Sequence, residues 1–167
     1  MAPEGEAYSK EVALMSIFPT KILLATDGSK EARQAAQAAA ELSKDTGSEV
    51  HVTYVLPSPT ELRGHHLYSQ EVMRSVLEQA QGEARSFLEE QAKQIGASGG
   101  KVAETHLRAG DPDKEIVRLS EELSVGTIVI GSRGLGAISR TLMGGVSESV
   151  VRHAHCPVFV VRGDKAG

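Results

Sequence analysis

The sequence predicts one α/β domain, a five-stranded parallel sheet with helices on both faces, and three observations predict it. Short apolar, β-rich runs recur at 21–25 (KILLA), 49–56 (EVHVTYVL), 102–107, 127–130 (TIVI) and 157–161 (PVFVV). Stretches with apolar residues at helical spacing separate them, and this alternation is that of a parallel sheet with right-handed crossovers. The fourth run turns abruptly into glycine, with Gly131, Gly134, Gly136, Gly144 and Gly145 before the next helical segment.

Residues 1–19 read as a polar extension ending at Pro19, with a short helix around 11–17. The domain then spans 20–163, and 164–167 form a tail. Strand one, 21–25, is continuously apolar, as a strand buried on both faces should be. Thr26, Asp27, Gly28 and Ser29 make the turn after it. The helix at about 30–45 has Ala32, Ala35, Ala36, Ala39 and Leu42 on one side, Ser29 as N-cap and Glu31 in its first turn. Gly47 closes it, and strand two alternates over 49–56.

A proline-containing loop, 57–66, leads to a long helical pattern at about 68–95. Its apolar side carries Val72, Val76, Leu77, Ala80, Ala84, Phe87, Leu88 and Ala92, and Gly96, Gly99 and Gly100 end it. Strand three follows at 102–107. Pro112 then sits where a helix favours its first residue, behind Asp111 as cap, and Ile116, Val117, Leu119 and Leu123 face the core.

Composition narrows the function classes. The 167 residues suit one domain, and 40% hydrophobic residues suffice for a core. A net charge of −4 without a basic face argues against nucleic-acid binding, and 4% aromatics without Trp argue against a base-stacking platform. The single cysteine, Cys156, excludes a disulfide within the chain and a cysteine-based zinc site. No apolar run reaches the ~18–20 residues that cross a bilayer, and the first residues lack the basic start and long apolar core of a signal peptide. The expectation is a cytoplasmic protein with no membrane or nucleic-acid partner.

In a sheet of this kind ligands bind beyond the carboxyl ends of the strands, at the switch point of the topology. Three loops should meet there: residues 26–29, the residues after Val55, and 131–145. Glycines between a strand end and a helix start allow close approach of backbone to a ligand, and free amides at the helix start suit a phosphate. Arg133 in that loop has a planar fork of donors for phosphate oxygens, whereas Arg140 reads as a solvated charge. Asp27 has two readings, a carboxylate for a ribose or Mg2+ and a simple cap of its own turn. Ser29, Ser132 and Ser147 add hydroxyls, of a kind common in glycine loops.

The histidines carry no catalytic or metal assignment. His153 and His155 are spaced i, i+2, match no helical metal pair and show no evident third ligand. His51, His65, His66 and His106 show no pairing with Ser or Cys that would build a nucleophilic triad. No metal ligands and no catalytic residues are assigned.

The combination of KILLATDGSKEA with IVIGSRGLG, LMGGVSESVV and HCPVFVV resembles the universal stress protein family over about residues 21–162. The family's ATP-binding members carry G-2x-G-9x-G followed by Ser or Thr. Gly131, Gly134 and Gly144 fall at those spacings, and Gly145 replaces the hydroxyl residue. The resemblance implies a Rossmann-like sheet of the adenine nucleotide alpha hydrolase type, strand order 3-2-1-4-5. It also implies a cytoplasmic homodimer paired through residues 157–161, from Pro157 to Val161, acting as a stress-response regulator that binds ATP with Mg2+.

By the same resemblance Ala25, Thr26 and Val55 would offer backbone groups to adenine, with the Ile130 carbonyl nearby and Asp27 on the ribose or Mg2+. Gly131, Arg133, Gly134, Gly144, Gly145 and Val146 would hold phosphates, and Ser147 would substitute for the missing hydroxyl. Nothing marks an efficient hydrolase: there is no G-x-x-x-x-G-K-[ST] and no evident base to orient a water. The competing reading is a nucleotide-independent dimeric adaptor with a vestigial pocket. An enzyme of the related pyrophosphatase or flavoprotein kind ranks last, because Thr26-Asp27-Gly28-Ser29 poorly resembles the serine-and-glycine cradle it would need.

Overall fold

The computed structural model describes residues 16–56, 58, 69–134 and 143–163. Its elements run β1 (Lys21–Ala25), α1 (Lys30–Thr46), β2 (Glu49–Leu56), α2 (Gln70–Ala97), β3 (Lys101–Ala109), α3 (Pro112–Glu122), β4 (Thr127–Gly131), α4 (Gly145–His153) and β5 (Val158–Val161). The five strands form one all-parallel sheet in the order β3-β2-β1-β4-β5, as expected. The bounds of β1 and β2 coincide with those read from the sequence. The helix expected around 11–17 lies largely outside the described residues, and residues 16 and 17 are not helical.

Alternation along each strand separates two cores. On one face Ile22, Leu24, Val50, Val52 and Val129 pack with Ala35 and Ala39 of α1 and Leu88 and Ile95 of α2. On the other Leu23, Ala25, Ile128 and Ile130 pack with Ile116 and Leu119 of α3 and Val150 of α4. The alanine-lined face of α1 lets that helix lie close to the sheet, with Ala35 and Ala39 fully buried. Ser29 caps α1, its hydroxyl accepting from the Ala32 amide at 3.1 Å, and Gly47 ends it in the left-handed region at φ 72°.

Two helices depart from expectation. Only the C-terminal half of α2 reaches the core, through Ala84, Leu88, Gln91 and Ile95, whereas Val72 and Val76 are exposed. A helix of 28 residues is about 42 Å long, against about 30 Å for the nine residues of β3, so it overhangs the sheet. Asp111 occupies the N-cap position of α3 but makes no capping bond, because its carboxylate pairs with Lys114.

The β2–β3 pairing carries an irregularity. Val50 pairs with Val102 but His51 pairs with Glu104, so the register skips Ala103. From there His51, Glu104 and His106 emerge on the same face as Thr53 and Arg108, the face covered by α3.

Candidate functional site

A cleft of about 550 Å³ opens at the carboxyl ends of β1 and β4, where the chain switches from one half of the sheet to the other. All twelve residues singled out in the sequence line it: Ala25, Thr26, Asp27, Val55, Ile130, Gly131, Arg133, Gly134, Gly144, Gly145, Val146 and Ser147. Ala32, Thr53, Pro112 and Ile116 complete the wall and were not anticipated. Thr53 and Val55 share a face of β2, so the alternation that marks Val55 would also have found Thr53. Pro112 and Ile116 come from α3, which the topology folds over that face.

The floor is apolar and the rim polar. Val55, Ile116 and Ile130 form the slot between β1, β2, β4 and α3. At the rim, α4 starts at Gly145 behind Gly144 as N-cap, and no side chain caps it. The amides of Gly145 and Val146 have no partner among the described residues, so the positive end of the helix opens on the cleft.

Several groups expected to face a ligand are engaged within the protein. The Gly144 amide donates to the Ser132 carbonyl at 2.6 Å, so it is not free for a phosphate. The Ser147 hydroxyl is buried, donates to the same carbonyl at 2.7 Å and lies 3.0 Å from the Gly144 carbonyl; it braces the loop ends rather than replacing the missing hydroxyl at 145. The Arg133 guanidinium lines the cleft but pairs with Glu31 at 2.8 Å, because the first turn of α1 runs beside the end of β4. The Thr26 amide donates to the Thr53 carbonyl at 3.0 Å and its Oγ1 accepts from the Gly28 amide at 3.4 Å, so the amide expected to meet adenine is engaged.

Of the two readings of Asp27, the structure shows the cap of its own turn. Its Oδ1 accepts from the Ser29 amide at 2.9 Å, capping the turn, and its Oδ2 points toward Gly134, where an added Cβ would come within 2.5 Å. A side chain at 134 would thus have to displace the Asp27 carboxylate. Gly131 is required by α1, since a Cβ there would meet backbone atoms of Glu31 and Ala32 at 2.8 and 2.9 Å. Gly145 stands in open space, with nothing within 4 Å of a Cβ. Arg140 and residues 135–142 lie outside the described residues.

The two helices that flank the cleft on the α3 side are tied together. The Ser149 hydroxyl of α4 donates to Asp113 Oδ2 of α3 at 2.6 Å, and that bond holds the Asp113 carboxyl below its ordinary range. Away from the cleft, burial pushes the Cys156 thiol up, and His153 and His155 are exposed. His51 and His106, for which the sequence shows no pairing with Ser or Cys, lie against each other, with Nδ1 of the first 3.0 Å from Nε2 of the second. Burial pushes both imidazoles below the usual histidine range. A cross-strand pair leaves no signal along either strand, since it arises only from the pairing of β2 with β3.

A sequence model of the universal stress protein family matches residues 19–162. A universal stress protein of Methanocaldococcus jannaschii is 32% identical over 145 residues, covering 87% of this chain and 83% of that one. The structure of hypothetical protein MJ0577 superimposes with a TM-score of 0.78 at 26% identity, over 90% of this chain and 100% of that one. That of the universal stress protein from Archaeoglobus fulgidus in complex with dAMP gives 0.59 at 25% identity, over 87% and 99%.

Proposed function

This chain belongs to the universal stress protein family, and from that premise we propose that its cleft binds an adenine nucleotide, ATP with Mg2+. The protein then acts as a homodimeric regulator of the stress response, with at most slow ATP hydrolysis. The observation that carries the reading is the uncapped start of α4, open on a nucleotide-sized cleft at the switch point of the sheet. The amides of Gly145 and Val146 take the phosphates, and the apolar slot of Val55, Ile116 and Ile130 takes the base. Asp27 is the carboxylate within reach of a ribose or of Mg2+ beside the phosphates. The dAMP complex of the Archaeoglobus fulgidus protein supports an adenine nucleotide as the guest.

A regulatory role fits better than turnover. The chain has no G-x-x-x-x-G-K-[ST], and the one carboxylate among the described cleft residues, Asp27, caps its own turn. The homodimer reading rests on β5, which ends the strand order and exposes 53% of Phe159. Among the described residues no helix is long and apolar enough to cross a membrane.

Isothermal titration with Mg·ATP tests the reading: saturable binding is expected, and no heat at millimolar ligand would remove it. A second reading, an adaptor indifferent to nucleotide, is favoured by the Arg133–Glu31 pair and by the missing hydroxyl at 145. Denaturing freshly purified protein and chromatographing the supernatant separates the two, since an adaptor carries no co-purified ATP.

A further inference from the structure

We propose that His51, Glu104 and His106 form a transition-metal site, built for an ion of the zinc class and separate from the nucleotide cleft. Among the described residues they are the one group of three metal-ligating side chains whose donor atoms all lie within 4.8 Å of one another. The register places them: His51 faces Glu104 across the β2–β3 pairing, and His106 follows two residues on, on the same face. His51 Nδ1 and His106 Nε2 are 3.0 Å apart, and Glu104 Oε2 lies 3.9 Å from His106 Nε2. Donors at ~2.0–2.2 Å from a tetrahedral zinc stand about 3.3–3.5 Å from each other, so the observed separations straddle the required edge.

Stability does not account for the cluster. His51 is 6% exposed, and its Nε2 is buried without a partner among the described residues. Whichever imidazole donates in the His51–His106 bond, that second nitrogen of His51 remains unsatisfied, a cost of about 1–3 kcal/mol that an apolar residue would avoid.

Access and donor chemistry choose the ion. The Glu104 side chain is 65% exposed and that of His106 13%, so an ion enters from the sheet edge and keeps a position for water. Two imidazole nitrogens and one carboxylate suit zinc, cobalt, nickel or copper, whereas magnesium and calcium favour all-oxygen shells. The site also adjoins the cleft through Thr53, whose hydroxyl donates to the His106 carbonyl at 3.1 Å.

The test titrates zinc chloride into the EDTA-stripped full chain, in excess Mg2+ and without nucleotide. One saturable event per chain is expected, and Co2+ in place of zinc should give the visible absorption of a four-coordinate ion. Glu104→Gln and His106→Asn should each weaken zinc by at least about tenfold, with the fold checked by circular dichroism; the exposed Glu104 makes its variant safe for folding. A double variant, His153→Ala with His155→Ala, should leave binding unchanged. Absence of saturable uptake, affinity unaffected by Glu104→Gln and His106→Asn, or loss of uptake in the double variant would each overturn the site. Mg·ATP titration gives the nucleotide reading its own independent result.

Discussion

The hydroxyl of Ser147 donates to the carbonyl of Ser132 across 2.7 Å and so joins the first turn of α4 to the end of β4. The Ser132 carbonyl also accepts the Gly144 amide, so both ends of the connection between β4 and α4 meet on one oxygen. Ser147→Ala removes one of its two donors and fits the same space. The expected cost is about 1 kcal/mol, that of a single net hydrogen bond, read from urea denaturation of the purified chain.

Gly145→Ser should strengthen nucleotide binding. The site has room for a Cβ, and a serine there sits in the first turn of a helix that opens on the cleft. A hydrogen bond to a charged phosphate contributes roughly 1.5–3 kcal/mol, so affinity for Mg·ATP should rise by about tenfold or more. Titration calorimetry decides, and an unchanged affinity would place the phosphates elsewhere.

Gly131→Ala should act on the fold. Its Cβ would meet the backbone of Glu31 and Ala32 rather than flexible side-chain ends, so α1 must move away from β4. Overpacking of this kind costs about 1–3 kcal/mol. Thermal unfolding without ligand should already show the loss, in contrast to Gly145→Ser.

The Asp113–Ser149 bond predicts a pH dependence. The Ser149 hydroxyl, first among the causes, lowers the Asp113 pKa below its reference of 3.8. Its contribution is therefore present above that reference and lost as pH falls from there through the lower folded value. Unfolding curves between neutral and strongly acid pH should converge for wild type and Asp113→Asn at the acid end, with the variant less stable above pH ~4.

Phe159→Glu should yield a monomer. Phe159 is exposed on the last strand of the sheet, where a charge would disrupt an apolar pairing between two copies. Light scattering on both proteins gives the mass directly, and a dimer that survives the substitution would move the interface off β5.

Much of this architecture was legible residue by residue. KILLA suited a strand buried on both faces, and Ser29 with Glu31 marked the start of α1. Twelve residues of the cleft were legible too, the meeting loops from the topology and the residues on them from the family resemblance. What the loops do there was not. Arg133 and Glu31 are 102 positions apart, and nothing local to Arg133 announces that its charge is matched. The stripe of α2 misled for another reason: periodicity reports an apolar face but not how far the sheet beneath it extends, so Val72 and Val76 looked like core.

The step over Ala103 settles which donors meet each other. Had the ladder run on from Val50–Val102 without that step, His51 would face Ala103, Glu104 and His106 would turn toward Leu88 and Ile95, and Leu107 would come round to the side of Arg108's present partners on α3. The greasy interior would then have to admit a carboxylate. One skipped position thus sets the proposed ion-binding corner on the α3 side, while every strand keeps its direction and its place.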